Sequence, residues 1–320
     1  MDDGKARYNF ISVITKMAGY VVYLMRCFFI VRQPVSFIFD YLAVRTPKNR
    51  IVSLRNGLVI HVSDAPEDIV TLFLILAKRE YGLIGRDGVI LDVGANIGIF
   101  SLYACMNGAK RVYAFEPNQQ AYDLLTKNVL RNNLSHKIVH RRLAITGEAG
   151  RQVKFPVNAS PKNKIIVGDV KEDYEVVNTS TLKHVLNENK IDLVDLLKLD
   201  CQGMEYEIIE GLDKATADKI TSVKMEYHYS NEDKIISLLK GHGLYLTFKR
   251  QKSELIGNLW FSRKTRWHGG AGQKIMCRLS ARGGPRTFLD DTQSTGYSVG
   301  LSDHSACPSY APVPGRLRLE

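Results

Sequence analysis

Apolar residues run without interruption through Val89-Ile-Leu and again through Val112-Tyr-Ala-Phe115, and in neither run do polar positions alternate with them. Strands read this way when helices cover both faces of a parallel sheet. Between the two runs the period changes. After Gly94 and Gly98 the apolar positions Ile99, Phe100, Leu102, Tyr103 and Met106 follow helical spacing. The pattern predicts a strand, a glycine turn, a helix and a second strand that ends at Glu116-Pro117.

The flanking pattern extends this unit into an α/β fold of the Rossmann-like kind, a mostly parallel sheet with helices on both faces. Residues 51–62 read as a hairpin about Asn56-Gly57, and Asp64 is expected to cap the apolar helix that follows, Ile69 to Leu76. Asn118 is expected to cap a helix with Ala121, Leu124, Leu125 and Val129 on its inner face and Lys127, Asn128, Arg131 and Asn132 in water. A third strand, Ile138 to Ile145, precedes short strand-like pieces between 147 and 178, which read as an insertion at the rim of the crevice. A buried strand through Leu196 to Asp200 leads to a helix starting near Glu205 and closed by Gly211. Ser222 to Tyr229 is the next strand; Ser230 and Asp233 form a capping box, and strands at Leu244 to Lys249 and Glu254 to Phe261 complete the sheet. The expected organisation is an apolar and basic helical segment over 1–50, the α/β domain over 51–264, and a Gly-, Ser-, Pro- and Arg-rich tail over 265–320 whose composition predicts disorder.

The N-terminal segment is apolar from Phe10 to Val31 but interrupted by Lys16 and Arg26, too short a run to span a bilayer. Residues 10–44 therefore either lie in the interface of an anionic membrane or pack on the main domain or a second subunit. Of the 320 residues 45% are hydrophobic and 24% charged, with a net charge of +11. A basic surface of this kind suits a membrane or a nucleic acid. Nucleic acid is disfavoured, because basic and aromatic residues are not interleaved and no RNA-binding module is appended. Five cysteines without paired metal spacing fit reduced thiols and a cytoplasmic location, peripheral at the inner face of the membrane if the helices dock there.

The chemistry starts at the glycine turn. A helix N-terminus at the end of a parallel strand receives an anionic or polar ligand group, and Glu116 is placed to accept hydrogen bonds from both hydroxyls of a ribose. Gly94-Ala95-Asn96-Ile97-Gly98 lacks the spacing that seats a pyrophosphate, while Asp92 suits a ligand with a cationic amino group. The combination resembles motif I of the class I S-adenosylmethionine-dependent methyltransferases. Cofactor contacts are expected at Asp92, Gly94, Ala95, Asn96, Gly98, Glu116 and Pro117, and at Ala144 near the end of the third strand. Two later strands project chemistry at alternate positions, Lys198 with Asp200 and Glu226 with His228.

Taken in order, Asp92-Val-Gly-Ala-Asn-Ile-Gly98, Phe115-Glu-Pro117, Thr181-Leu182, Asp195-Leu-Leu-Lys-Leu-Asp200, Gly203-x-Glu205 and Glu226-x-His228 resemble the FkbM family of methyltransferases over roughly residues 51 to 264. The resemblance implies a seven-stranded sheet with one antiparallel strand, S-adenosylmethionine over its carboxyl ends, and O-methylation of a hydroxylated small molecule or glycan. Gln202 departs from it, standing where the family commonly has an acidic residue. For such chemistry His228 is the candidate base, oriented by Glu226. Asp200 and Lys198 form either an ion pair on the crevice floor or part of the acceptor site, and Glu205 reads as a helix-start carboxylate. No close ligand spacing argues for a metal at Asp200, Glu226 and His228.

Overall fold

A computed structural model of the chain describes residues 18–42, 50–157, 165, 173–229 and 232–263. Residues 18–30 are helical (α1), and Pro34–Tyr41 forms α2, with Pro34 in the first turn, where its missing N–H is not needed. Ile51–Ser53 (β1) and Val59–His61 (β2) pair antiparallel across the Asn-Gly turn. Helix α3, Glu67–Leu72, continues as a π-helical turn through Phe73–Ala77. Asp64 does not cap α3 as expected. It pairs with Arg50 at 2.5 Å, while Asp68 accepts hydrogen bonds from the Ser63 backbone and hydroxyl, both at 2.7 Å.

The next elements are β3 (Val89–Val93), α4 (Ile99–Met106), β4 (Arg111–Phe115), α5 (Gln119–Arg131) and β5 (Ile138–Arg141). The expected third strand breaks after Arg141, and Ala144–Ile145 (β6) joins Gln152–Pro156 (β7) and Tyr174–Ser180 (β8) in a small separate sheet. Then come α6 (Leu182–Glu188), β9 (Leu196–Leu199), α7 (Glu205–Glu210), α8 (Lys214–Asp218), β10 (Ser222–His228), α9 (Glu232–Gly241), β11 (Leu244–Gln251) and β12 (Ile256–Arg263). The main sheet has the order β11-β12-β10-β9-β3-β4-β5, and only β12 runs antiparallel to its neighbours. This is the seven-stranded sheet with one antiparallel strand that the sequence resemblance implies. The chain steps outward from β3 to β5, then returns to β9 on the other side of β3, and this reversal opens a crevice at the carboxyl ends of β3 and β9.

Alternate residues of the central strands serve two cores. Ile90, Val112, Ala114 and Leu196 pack with α1 to α5, whereas Leu91, Val93, Leu197, Leu199 and Met225 pack with α6 to α9. The first core runs back beyond residue 51 into the N-terminal helices, for Cys27, Val31 and Phe37 are buried in it and the Tyr41 ring stacks on Phe73 at 3.9 Å.

One expected face is met only in part: Lys127 and Arg131 are exposed as expected, but the two amides beside them are not. Asn128 is fully buried and Asn132 partly so, because α5 uses both amides to hold the β2 hairpin edge. Asn128 accepts from His61 N–H at 2.6 Å and donates to the carbonyls of His61 and Ile97, both at 2.9 Å, and Asn132 bonds Val59 in the same two-way fashion. Helix α8, capped by Asp213, had no counterpart in the apolar pattern. The Ser230 capping box, most of the strand expected at 165–167, and the tail from 265 onward lie outside the described residues.

Candidate active site

The crevice begins where β3 ends. Gly94 has φ of 73°, and a Cβ there would lie 1.9 Å from the carbonyl oxygen of Asp200, so only glycine lets β3 and β9 approach this closely. Gly98 starts α4 with φ of 88° against the Leu125 side chain. Between them the Asn96 N–H donates to Glu116 Oε2 at 2.7 Å, and the Asn118 N–H donates to Oε1 at 2.9 Å. Burial pushes the Glu116 carboxyl up to about 7, although both backbone donors pull it down. Each carboxylate oxygen keeps acceptor capacity for a ligand hydroxyl. Pro117, Leu143, Ala144, Ile145 and Phe155 form an apolar wall beside it, and Asp200, Cys201, Gln202 and Met204 line the far side of the crevice.

The second half of the site is a charged cluster at the ends of β9 and β10. Asp200, Glu226 and His228 bring one ligand atom each to within 4.8 Å of one another. His228 Nδ1 lies 3.2 Å from Glu205 Oε1, and Nε2 lies 3.6 Å from Glu226 Oε1. Burial lowers the His228 pKa, but the Glu205 hydrogen bond and the charges of Glu205, Asp200 and Glu226 outweigh it, so the net shift is upward. Glu205 is buried and also accepts from the N–H groups of Cys201 and Gly203 at 2.8 and 2.9 Å, which makes it the fixed point of the turn after β9.

The segment after α3 closes over this cluster. Tyr81 donates its hydroxyl to Asp200 Oδ2 at 2.9 Å, and Lys252, from the β11–β12 turn, pairs with both Glu226 and Glu80. Lys224 donates to the carbonyls of Tyr81 and Leu83 at 2.5 and 3.3 Å, pinning the segment to the sheet. Burial pulls the pKa of this ammonium down to about 8.

With this geometry in hand, residues 92–246 match the Methyltransferase FkbM domain. Methyltransferase 1 of Beauveria bassiana is 30% identical over 172 residues, 46% of this chain and 67% of that protein. The chain belongs to the FkbM methyltransferase family. It is also 26% identical over 225 residues to the 31-O-demethyl-FK506 methyltransferase FkbM of Streptomyces tacrolimicus, 59% of this chain and 86% of that one. With the hexuronic acid methyltransferase AglP of Haloferax volcanii it shares 25% identity over 177 residues, 54% of this chain and 66% of the other.

The cofactor of this FkbM methyltransferase is S-adenosylmethionine, and the crevice fits it. A carboxylate held by two backbone donors faces the space a ribose would take, an apolar wall stands where a base would lie, and the glycine turn leaves the floor open. Of the residues expected to touch the cofactor, Gly94, Asn96, Glu116, Pro117 and Ala144 line the crevice. Ala95 and Gly98 shape the turn beneath it, Ala95 through its N–H to Phe115 O at 3.0 Å.

Asp92 does not meet the expectation of a contact to a cationic amino group. It is fully buried, accepts the Ser101 hydroxyl at 2.7 Å and pairs with Lys198 at 3.1 Å. Lys198 is thereby taken from the expected pairing with Asp200. Directly beside Asp92 in the parallel register, it bonds Asp92 and the carbonyls of Val93 and Gly94, because a buried ammonium settles where most acceptors converge. Glu205 rather than Glu226 makes the closer contact to His228.

Gln202 has φ of 56°, and its amide nitrogen donates to Asp200 Oδ1 at 3.4 Å. Desolvation, followed by the charges of Glu205 and Asp200, pushes the Cys201 thiol well up, so this half-buried residue of the crevice wall is a protonated thiol and not a nucleophile. Asp200, Glu226 and His228 are close enough to hold a divalent ion, a convergence their sequence spacing does not reveal; the Lys252 ammonium sits against the same Glu226. The sequence reading missed Glu80, Tyr81 and Lys252, since a Tyr beside a helix end and a Lys in a hairpin turn carry no motif.

Proposed function

We propose that this protein transfers a methyl group to a hydroxyl oxygen of a glycan, a lipid-linked sugar or a small hydroxylated metabolite. One juxtaposition carries the reading: Asp200 lines the cofactor crevice and also belongs to the cluster with Glu226 and His228. A titratable base thus stands next to the place where the cofactor's reactive end would lie. The names of two relatives, a methyltransferase for a 31-O-demethyl compound and one for a hexuronic acid, support the same acceptor class.

S-adenosylmethionine, when bound, supplies a methyl carbon on a sulfonium that leaves as a neutral thioether. The protein's own part is to hold the acceptor in line and to take its proton. His228 keeps a proton on Nδ1 for Glu205, which leaves Nε2 as the basic nitrogen, and the 3.6 Å to Glu226 is too long for a hydrogen bond to occupy it. As the acceptor oxygen is methylated, its hydroxyl proton would pass to His228 Nε2, the nitrogen left free of Glu205. Asp200, held by Tyr81, orients the acceptor.

The test is transfer of labelled methyl groups to hydroxylated glycans and lipids by wild type and His228→Ala. The variant is expected to lose about 10²- to 10⁴-fold in kcat, while its dissociation constant for S-adenosylmethionine stays within about twofold. An unchanged kcat would remove His228 from the role of base. Transfer to RNA alone would overturn the acceptor class.

A further inference from the structure

Helix α1 contains one charged residue, Arg26, and that guanidinium is turned inward to the Ala77 carbonyl at 3.1 Å. The inner face buries Cys27 completely and packs Tyr23, Leu24 and Ile30 on the core. The outer face is apolar as well: Val21 is 57% exposed, Met25 53% and Phe29 77%, and α2 continues the surface with Val35 at 54% and Phe39 at 45%. A surface helix ordinarily turns charged residues to water, and an apolar sheet of side chains on two consecutive helices marks an interaction site.

The rim of this face is basic. Arg55 donates to the Phe28 carbonyl at 2.7 Å and Arg32 to the Leu54 carbonyl at 3.3 Å, which holds both exposed guanidinium groups beside the apolar residues. Residues 1–55 carry nine Lys or Arg against three Asp. No helix among the described residues is long and apolar enough to cross a membrane. An apolar face too short to span, edged by positive charge, complements the surface of an anionic bilayer, where apolar side chains enter the acyl boundary and arginines meet headgroup phosphates.

We infer that α1 and α2 dock this methyltransferase on the surface of an anionic lipid membrane, lying in the interface with Val21, Met25, Phe29, Val35 and Phe39 inserted and Arg32 and Arg55 on the headgroups. The inference does not depend on which acceptor is methylated.

The experiment is co-sedimentation of the full chain with vesicles of phosphatidylcholine alone or with about one-third phosphatidylglycerol, at low and high salt. Binding is expected on the anionic vesicles and weakens with salt. Arg32→Gln with Arg55→Gln is expected to cut that affinity about 25-fold, roughly fivefold per charge removed. Met25→Gln with Phe29→Gln abolishes insertion at exposed positions, and an unchanged melting temperature shows that the fold is kept. The inference is overturned if the full chain ignores anionic vesicles or if neither double variant changes its binding. It is equally overturned if sedimentation velocity finds a dimer without lipid that Met25→Gln with Phe29→Gln dissociates, because the face then belongs to a second copy.

Discussion

On the cofactor side of the crevice, two short continuous stretches, Gly94 to Gly98 and Glu116 to Asn118, supply backbone geometry and one carboxylate held by backbone donors, and Leu143 to Ile145 with Phe155 add only an apolar wall. On the acceptor side every group is a side chain, and the groups arrive from four separated segments: Glu80 and Tyr81, Asp200, Glu226 with His228, and Lys252. The first half is fixed by local turn chemistry and follows wherever the strand, turn and helix form. The second half exists only once the sheet and the segment after α3 have come together. In the proposed function, the cofactor is read mostly by local turn structure, while the acceptor is read by a surface that can change one segment at a time without disturbing the cofactor.

The sharpest way to break this contrast is to attack what joins the halves. Lys198, from the strand that leads to Asp200, ties β9 to the end of β3, and Lys198→Met leaves Asp92 as an uncompensated buried charge; urea unfolding is expected to show a loss of about 3–5 kcal/mol. A loss below about 1 kcal/mol would mean that Asp92 finds water or another partner. Next in size, Glu116→Ala is expected to weaken S-adenosylmethionine binding about 100-fold, through two lost charge-assisted hydrogen bonds, with His228 chemistry untouched at saturating cofactor.

Proton linkage separates the halves further. Hydroxyl donors need the Glu116 anion, and burial holds its carboxyl up to about 7, so cofactor affinity is expected to fall as pH drops below about 7 and to lose that dependence in Glu116→Gln. His228 acts as a base only when neutral, and its pKa is raised in the folded protein, so kcat/KM rises with pH through a value above that of a free histidine. Glu205→Gln removes the strongest upward influences, leaving burial, which lowers, against only the charges of Asp200 and Glu226; the inflection is expected to move to lower pH. An unmoved inflection would show that another group controls the rate. The smallest effect is expected from Tyr81→Phe, about fivefold in kcat/KM for one hydrogen bond to Asp200, with cofactor affinity unchanged.

The same contrast explains what the sequence could tell. The sheet, the glycine turn, Glu116 and the pairing of alternate residues on β9 and β10 were all legible, because each rests on spacing within one element. Partner choice was not. Spacing places Lys198 and Asp200 on one side of β9 but does not reveal that the β3 register sets Asp92 directly beside Lys198. Similarly, Glu226 and His228 share a side of β10, yet the closer carboxylate reaches His228 from the turn after β9. Asn128 and Asn132 read as solvent-facing because amides are polar, and only the hairpin lying against α5 shows that they complete its backbone hydrogen bonds.

That last contact reaches further than the hairpin. The Asn128 amide also holds the Ile97 carbonyl, inside the glycine turn, so one side chain binds the β1–β2 hairpin and the cofactor turn to the same helix. The two segments are expected to open together in native-state hydrogen exchange, and cofactor binding at residues 94 to 98 is expected to slow exchange at His61, which lies outside the cofactor crevice. The hairpin is then a remote reporter of cofactor occupancy.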